Sequence, residues 1–233
     1  MTKRSALDLI DDWLATGFSA RSSEKRRGGA DSDPLSVPRE AAAAPDADPR
    51  LAELSKVASE VAVCSRCPLS MNRTRTVPGE GSLDPPVLFV GEGPGEEEDR
   101  TGRPFVGAAG RYLDKWIAAA GLDRRACFIA NCVKCRPPQN REPHPDEIGA
   151  CLPYLERQIA ALTPRVIVCL GRIAAQALLG TSTGVGALRG KVHERGGIPL
   201  VATYHPSAVL RDQSLRAPVW EDLKRLKVLL GHG

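Results

Sequence analysis

Aromatic side chains are scarce in this chain: three Trp, three Tyr and four Phe make up 4% of 233 residues. Each aromatic in a loop therefore stands out. Long apolar runs are missing as well. No stretch approaches the roughly 20 apolar residues of a membrane-spanning helix, and the N-terminus lacks the apolar segment, about 7–15 residues long, of a secretory signal. No membrane association is expected, and the expected compartment is the cytoplasm. The seven Cys would stay reduced there, available to a metal or a cluster. A strong excess of one charge is absent too. Residues 1–50 hold 8 Lys/Arg and 9 Asp/Glu, leaving 24 and 19 for residues 51–233 and a charge of +5. That mild bias is compatible with a phosphate-binding face.

What is present is organised around Gly91-Glu92-Gly93-Pro94-Gly95-Glu96-Glu97-Glu98-Asp99. It follows Pro86-Val87-Leu88-Phe89-Val90, a short apolar run that reads as a buried strand. Glycines here let the chain turn and let backbone approach a ligand, at the strand end where an open α/β sheet places its ligands. No Gly-Lys-Ser/Thr follows, which excludes a P-loop, and the acidic run would repel a dinucleotide pyrophosphate. The alternative to a ligand site is a tight strand–loop connection with a solvated acidic rim.

Residues 1–50 are expected to carry a short amphipathic helix, about residues 5–17, then a disordered linker; 51–233 form the main domain. The helix either docks an unidentified protein partner or lies on the domain. Helical patterns cover residues 50–63, 110–121, 146–162, 172–179 and 219–230. Strand patterns cover 86–90, 127–133, 165–170 and 198–203, and residues 181–197 suit a hairpin. This alternation predicts an α/β fold, a three-layer α/β/α sandwich with a central, mainly parallel four-stranded sheet. The chain leaves three strands, after residues 90, 131 and 203, in loops of unusual chemistry that converge on one sheet edge.

Two Cys-x-x-Cys pairs, Cys64/Cys67 and Cys132/Cys135, are zinc candidates by spacing alone. Cys132 also fits the apolar register of its strand, and Cys151, near a helix start, is an alternative fourth ligand. Cys127 and Cys169 read as buried strand residues.

Four collinear motifs carry a resemblance: Gly91–Glu97, Gly102–Gly107, Asn131–Pro138 and His205–Ala208. Together with Cys64-Ser65-Arg66-Cys67 they resemble the family 4, iron–sulfur uracil-DNA glycosylases over about residues 55–230. The resemblance implies a [4Fe-4S] cluster on Cys64, Cys67, Cys135 and Cys151, and uracil-containing DNA, single- or double-stranded, as the partner of a monomeric base-excision-repair enzyme of a bacterial-type cytoplasm and nucleoid.

It also implies roles for the loops. A uracil flipped from DNA would stack on Phe105, be read at its edge by Asn131, and be held by backbone of Gly93 and Gly95. His205 would stabilise charge developing on uracil O2, and Glu92, with Glu96 as second choice, would position water or balance the cationic sugar. Ser207 would hold a phosphate, one of Ala208, Val209 and Leu210 would wedge the base stack, and Arg211, Lys134, Arg136 and Arg141 would meet phosphates. Two rival readings are a Cys-ligated DNA-binding module without activity, and an X-type covalent uracil-DNA binder using His144.

Overall fold

Four apolar runs become the parallel centre of one sheet: β2 (Val87–Gly91), β3 (Phe128–Asn131), β4 (Val166–Leu170) and β6 (Ile198–Thr203). The computed structural model describes residues 48–231. The expected helix at 5–17 and the linker up to residue 47 lie outside them. With β1 (Glu80–Gly81) and β5 (Val192–Arg195) the sheet has six strands among the described residues, in the order β1-β3-β2-β4-β6-β5.

The two strands beyond the expected four are antiparallel edges, β1 (Glu80–Gly81) on β3 and β5 (Val192–Arg195) on β6. β1 is only a pair of residues, below the length at which alternation can be read. The expected hairpin exists, but it is β5 with β6, turning at Gly196-Gly197, both at positive φ as a tight hairpin turn favours. Residues 181–191 instead include a one-turn helix, α6 (Val185–Leu188).

Alternate residues of the buried strands face opposite ways, and each face finds its own helices. Phe89, Ile129, Val168 and Val201 pack beneath α3 (Ala108–Ala119) and α8 (Arg216–Leu229), meeting Trp116, Ile117 and Leu223. Leu88, Ala130, Ile167 and Ala202 meet Leu155, Ile159 and Leu178 of α4 (Pro145–Leu162) and α5 (Arg172–Leu179). The three layers follow directly. α1 (Pro49–Ala62) starts where Asp48 caps the Arg50 N–H at 2.9 Å and Pro49 occupies the first turn. It lies along α4, tied by Arg157 to Glu53 at 2.7 Å and to Glu60.

Two short helices were not legible as such. The acidic run folds into α2 (Glu96–Thr101), with Glu98 and Asp99 buried rather than solvated, and α7 (Pro206–Arg211) begins at the His-Pro pair. β3 and β4 flank β2 on opposite sides, so the chain reverses direction across the sheet at β2. An open parallel sheet leaves a crevice at the carboxyl ends of its strands at such a point.

Ile167 is fully buried on a central strand. Ile167→Ala is expected to lower unfolding free energy by about 2–5 kcal/mol, read as a lower urea midpoint at unchanged slope.

Candidate active site

The strand ends open into a cleft of about 560 Å³ whose wall includes Glu92, Gly93, Gly95, Phe105, Asn131 and His205. Sequence reasoning had named all six. The reason this cleft has its shape lies in residues it had not named.

Glu98 is the first of these. Its carboxylate, 8% exposed, accepts from the backbone N–H of Val106 and Gly107 at 2.8 Å each and of Gly95 at 3.1 Å. One side chain thus joins the glycine-rich loop to the loop bearing Phe105. The Gly95 N–H, expected to hold a base, is committed to Glu98. Asp99, next in α2, accepts from the Thr74 N–H at 2.9 Å and anchors the segment leading to β1. Phe105 sits at φ +51°, a backbone conformation that costs a non-glycine residue about 1–2 kcal/mol. It is held there by Glu98, by Arg124 donating to the Pro104 carbonyl at 2.7 Å, and by Gly110. A Cβ on Gly110 would lie 1.9 Å from the Phe105 carbonyl oxygen, so only glycine fits beneath the turn.

Gly91 serves space rather than turning. A Cβ there would come 2.4 Å from Asn131 Oδ1 and 2.5 Å from the Phe105 ring. Asn131 is 1% exposed, and its Oδ1 is buried with no hydrogen-bond partner. Leaving a buried acceptor unpaired costs about 1–3 kcal/mol. The Phe105 ring lies 5.7 Å from the His205 ring, centroid to centroid.

His205 caps α7. Its Nδ1 accepts from the Ser207 N–H at 3.2 Å and lies 2.8 Å from Ser207 Oγ. Burial, with Arg211 nearby, pulls the imidazole down to about 4. It is therefore neutral at pH 7, and since Nδ1 accepts, Nε2 carries the proton. Ser207, expected to hold a phosphate, instead spends its hydroxyl and N–H on His205. Behind it, buried Asp222 binds Thr203 Oγ1 at 2.8 Å and Arg189 Nε at 3.0 Å, and Arg189 lies over the Tyr204 ring. That network fixes the end of β6 from which His205 projects.

Other expectations are redistributed. Val209 packs in the core and is 1% exposed, so it cannot wedge a duplex; Leu210, 45% exposed, remains the apolar tip of α7. Lys134 is no phosphate ligand: its ammonium is buried, donating to the Asn131 carbonyl at 3.0 Å and Gln158 Oε1 at 2.7 Å. Arg141 pairs with buried Glu147 at 2.7 Å, and Arg136 with Asn140 at 2.9 Å. Arg211 lines the cleft, as do Tyr204, Glu142 and Arg172. His144 is exposed at the start of α4 and is not among the residues lining the cleft, which disfavours it as a nucleophile there.

A second cavity is lined by Cys64, Cys67, Cys135 and Cys151. The Arg73 guanidinium donates to Cys135 Sγ at 3.2 Å, and the Lys134 N–H to Cys151 Sγ at 3.2 Å. Burial pushes the Cys151 thiol up to about 11. Cys132 lies elsewhere, fully buried among Leu88, Val90 and Leu155. No three His, Cys, Asp or Glu among the described residues converge on a single-ion site. No helix among the described residues is long and apolar enough to cross a membrane.

Residues 78–224 match the model of the uracil DNA glycosylase superfamily. The chain is 47% identical to a type-4 uracil-DNA glycosylase of Thermotoga maritima over 180 residues, 75% of this chain and 94% of the relative. It is 43% identical to a type-4 enzyme of Archaeoglobus fulgidus over 186 residues, 76% of this chain and 94% of the relative. A type-5 uracil-DNA glycosylase of Pyrobaculum aerophilum is 34% identical over 150 residues, 57% of this chain and 66% of the relative.

His205 gives the site a pH signature in folding. Between its folded value of about 4 and its ordinary 6.5, the unfolded chain binds a proton that the folded chain does not. Stability is therefore expected to fall as pH drops through that window. Urea midpoints across it should show the slope in the wild type and a flatter one in His205→Gln.

Proposed function

The chain belongs to the uracil DNA glycosylase superfamily, and from that premise we propose that it is a uracil-DNA glycosylase, a hydrolase that excises uracil from DNA and leaves an abasic site. The observation that carries the reading is the orphaned, buried Asn131 Oδ1 between Gly91 and Phe105. An acceptor left unpaired inside a cleft calls for a ligand that brings a donor. Uracil presents N3–H beside O4, so one amide can accept from the first and donate to the second. Phe105 offers a flat apolar face for the same base.

In the reaction the C1′–N1 bond breaks and its electron pair leaves on uracil. Water adds its oxygen to C1′, and the remaining proton neutralises the uracil anion. His205 serves this as a neutral Nε2–H donor toward O2, needing no change of its own charge. Glu92, partly buried at the cleft wall, receives the water or balances the sugar cation; Glu96 pairs with Arg136 at 3.3 Å, which leaves Glu92 the better candidate. Leu210 and Arg211 on α7 meet the duplex, the one as an apolar tip and the other at a phosphate. Two rival readings, an inactive DNA-binding module and a covalent binder, lack a comparable observation.

We also assign a [4Fe-4S] cluster to Cys64, Cys67, Cys135 and Cys151. Four thiols around one void, with a guanidinium and a backbone N–H aimed at two sulfurs, suit the thiolate ligands of such a cluster. Bound there, it would cross-link the end of α1, the loop after β3 and α4.

Two measurements test these readings. A uracil-containing oligonucleotide, treated with alkali after incubation, should be cut by the wild type. It should be cut at least about 10²-fold more slowly by Asn131→Ala and by His205→Ala; an inactive, folded wild type would sink the reading. For the cluster, iron content and visible absorbance should be lost in Cys151→Ala and kept in Cys132→Ala. Retention in both would overturn the assigned ligand set.

A further inference from the structure

One charge arrangement at the cleft is unexplained by base binding. Glu142 lies on the loop after β3, and Arg172 is the first residue of α5, after β4. Their ion pair, 2.5 Å long, joins that loop to the start of α5, and both residues line the same cleft as Glu92. As a brace it is weak, because the side chains are 64% and 42% exposed and such pairs contribute about 0–1 kcal/mol. Its effect on Glu92 is more specific. Burial first raises the Glu92 carboxyl above its ordinary value; the Glu142 charge raises it further, and the Arg172 charge lowers it. The other charged or titratable groups on the cleft wall are Glu98, Tyr204, His205 and Arg211, and the buried Cys132 thiol lies close enough to Glu92 for the two to interact. Glu98 is occupied by three backbone N–H groups, and Arg211 stands near His205.

We propose that Arg172 and Glu142, an ion pair on the cleft wall that Glu92 shares, are positioning residues of opposite sign for Glu92 as it serves the attacking water. The inference rests on the uracil-DNA glycosylase reading. Arg172 shares the cleft wall with Glu92 and carries the opposite charge. Glu142 holds the guanidinium at the cleft and subtracts part of its field. A pair that merely bracketed the two loops would be broken equally by removing either partner. A pair that poises a third charge responds with opposite signs.

The experiment measures single-turnover uracil release from a single-stranded oligonucleotide against pH, using the full chain. The variants are Arg172→Gln, Arg172→Lys, Glu142→Gln and Glu92→Gln. The acid limb of the wild type should vanish in Glu92→Gln. It should move up by about half to one pH unit in Arg172→Gln and down in Glu142→Gln, with Arg172→Lys near the wild type. On the limb that is a rate about 3- to 10-fold lower for Arg172→Gln at a given pH, and higher for Glu142→Gln. Carbon-13 NMR titration of the Glu92 carboxyl in DNA-free protein should show the same opposite shifts. Shifts of one sign in both single variants, or none, with an active wild type overturn the proposal alone. A wild type that releases no uracil overturns the glycosylase reading and the catalytic half of the proposal with it.

Discussion

One buried carboxylate holds the loops of one cleft wall in their shape. Glu98 accepts three backbone N–H bonds from two loops that are otherwise joined only by the short helix α2. Charged acceptors make the stronger hydrogen bonds, and a buried one tolerates no empty geometry around it. Phe105 can occupy its left-handed backbone conformation because the two residues after it are pinned by that carboxylate. Backbone strain of this kind persists where the surroundings over-determine it. The glycines then follow. Gly110 admits the Phe105 carbonyl, and Gly91 admits the Phe105 ring and the Asn131 amide.

The opposite wall is built by different means to the same end. There a second buried carboxylate, Asp222 of α8, collects Thr203, Arg189 and the Gly190 N–H beneath the end of β6. His205 leaves the strand at that point and is immobilised at once by capping α7 with its own ring. Cleft rigidity thus comes from acids that face away from solvent, while the cleft gathers an amide, an aromatic face and a neutral imidazole beside the charged Glu92, Glu142, Arg172 and Arg211. The arrangement suits a neutral, planar, polar-edged ligand.

How much of this could be read from the chain alone depends on the length scale of the signal. The four parallel strands and most of the helices announced themselves, because apolar periodicity over five or more residues reports burial. β1, α2, α6 and α7 did not, since two to six residues carry no period. The cleft residues Glu92, Phe105, Asn131 and His205 were found through motifs, which record chemistry at fixed spacing. Glu98 was misjudged as part of a solvated acidic rim. Nothing in a run of four acids says which one turns inward, because that is decided by N–H groups eight and nine residues downstream. Val209 and Lys134 were misplaced for a related reason: a short helix has one buried face, and a lysine on an apolar strand end can find two oxygens below it. The helix at 5–17 lies outside the described residues.

Lys134 has a consequence of its own. Only three residues separate Asn131 from Cys135, and Lys134 is the last of them. Its ammonium grips the Asn131 carbonyl while its backbone N–H grips Cys151 Sγ, so one residue is mortised into the base cleft at one end and the cysteine cavity at the other. The two cavities therefore share a wall stud rather than a flexible hinge. A displacement of Cys151 therefore acts on the same residue that holds the Asn131 carbonyl, and neither cavity can be reshaped without involving the other.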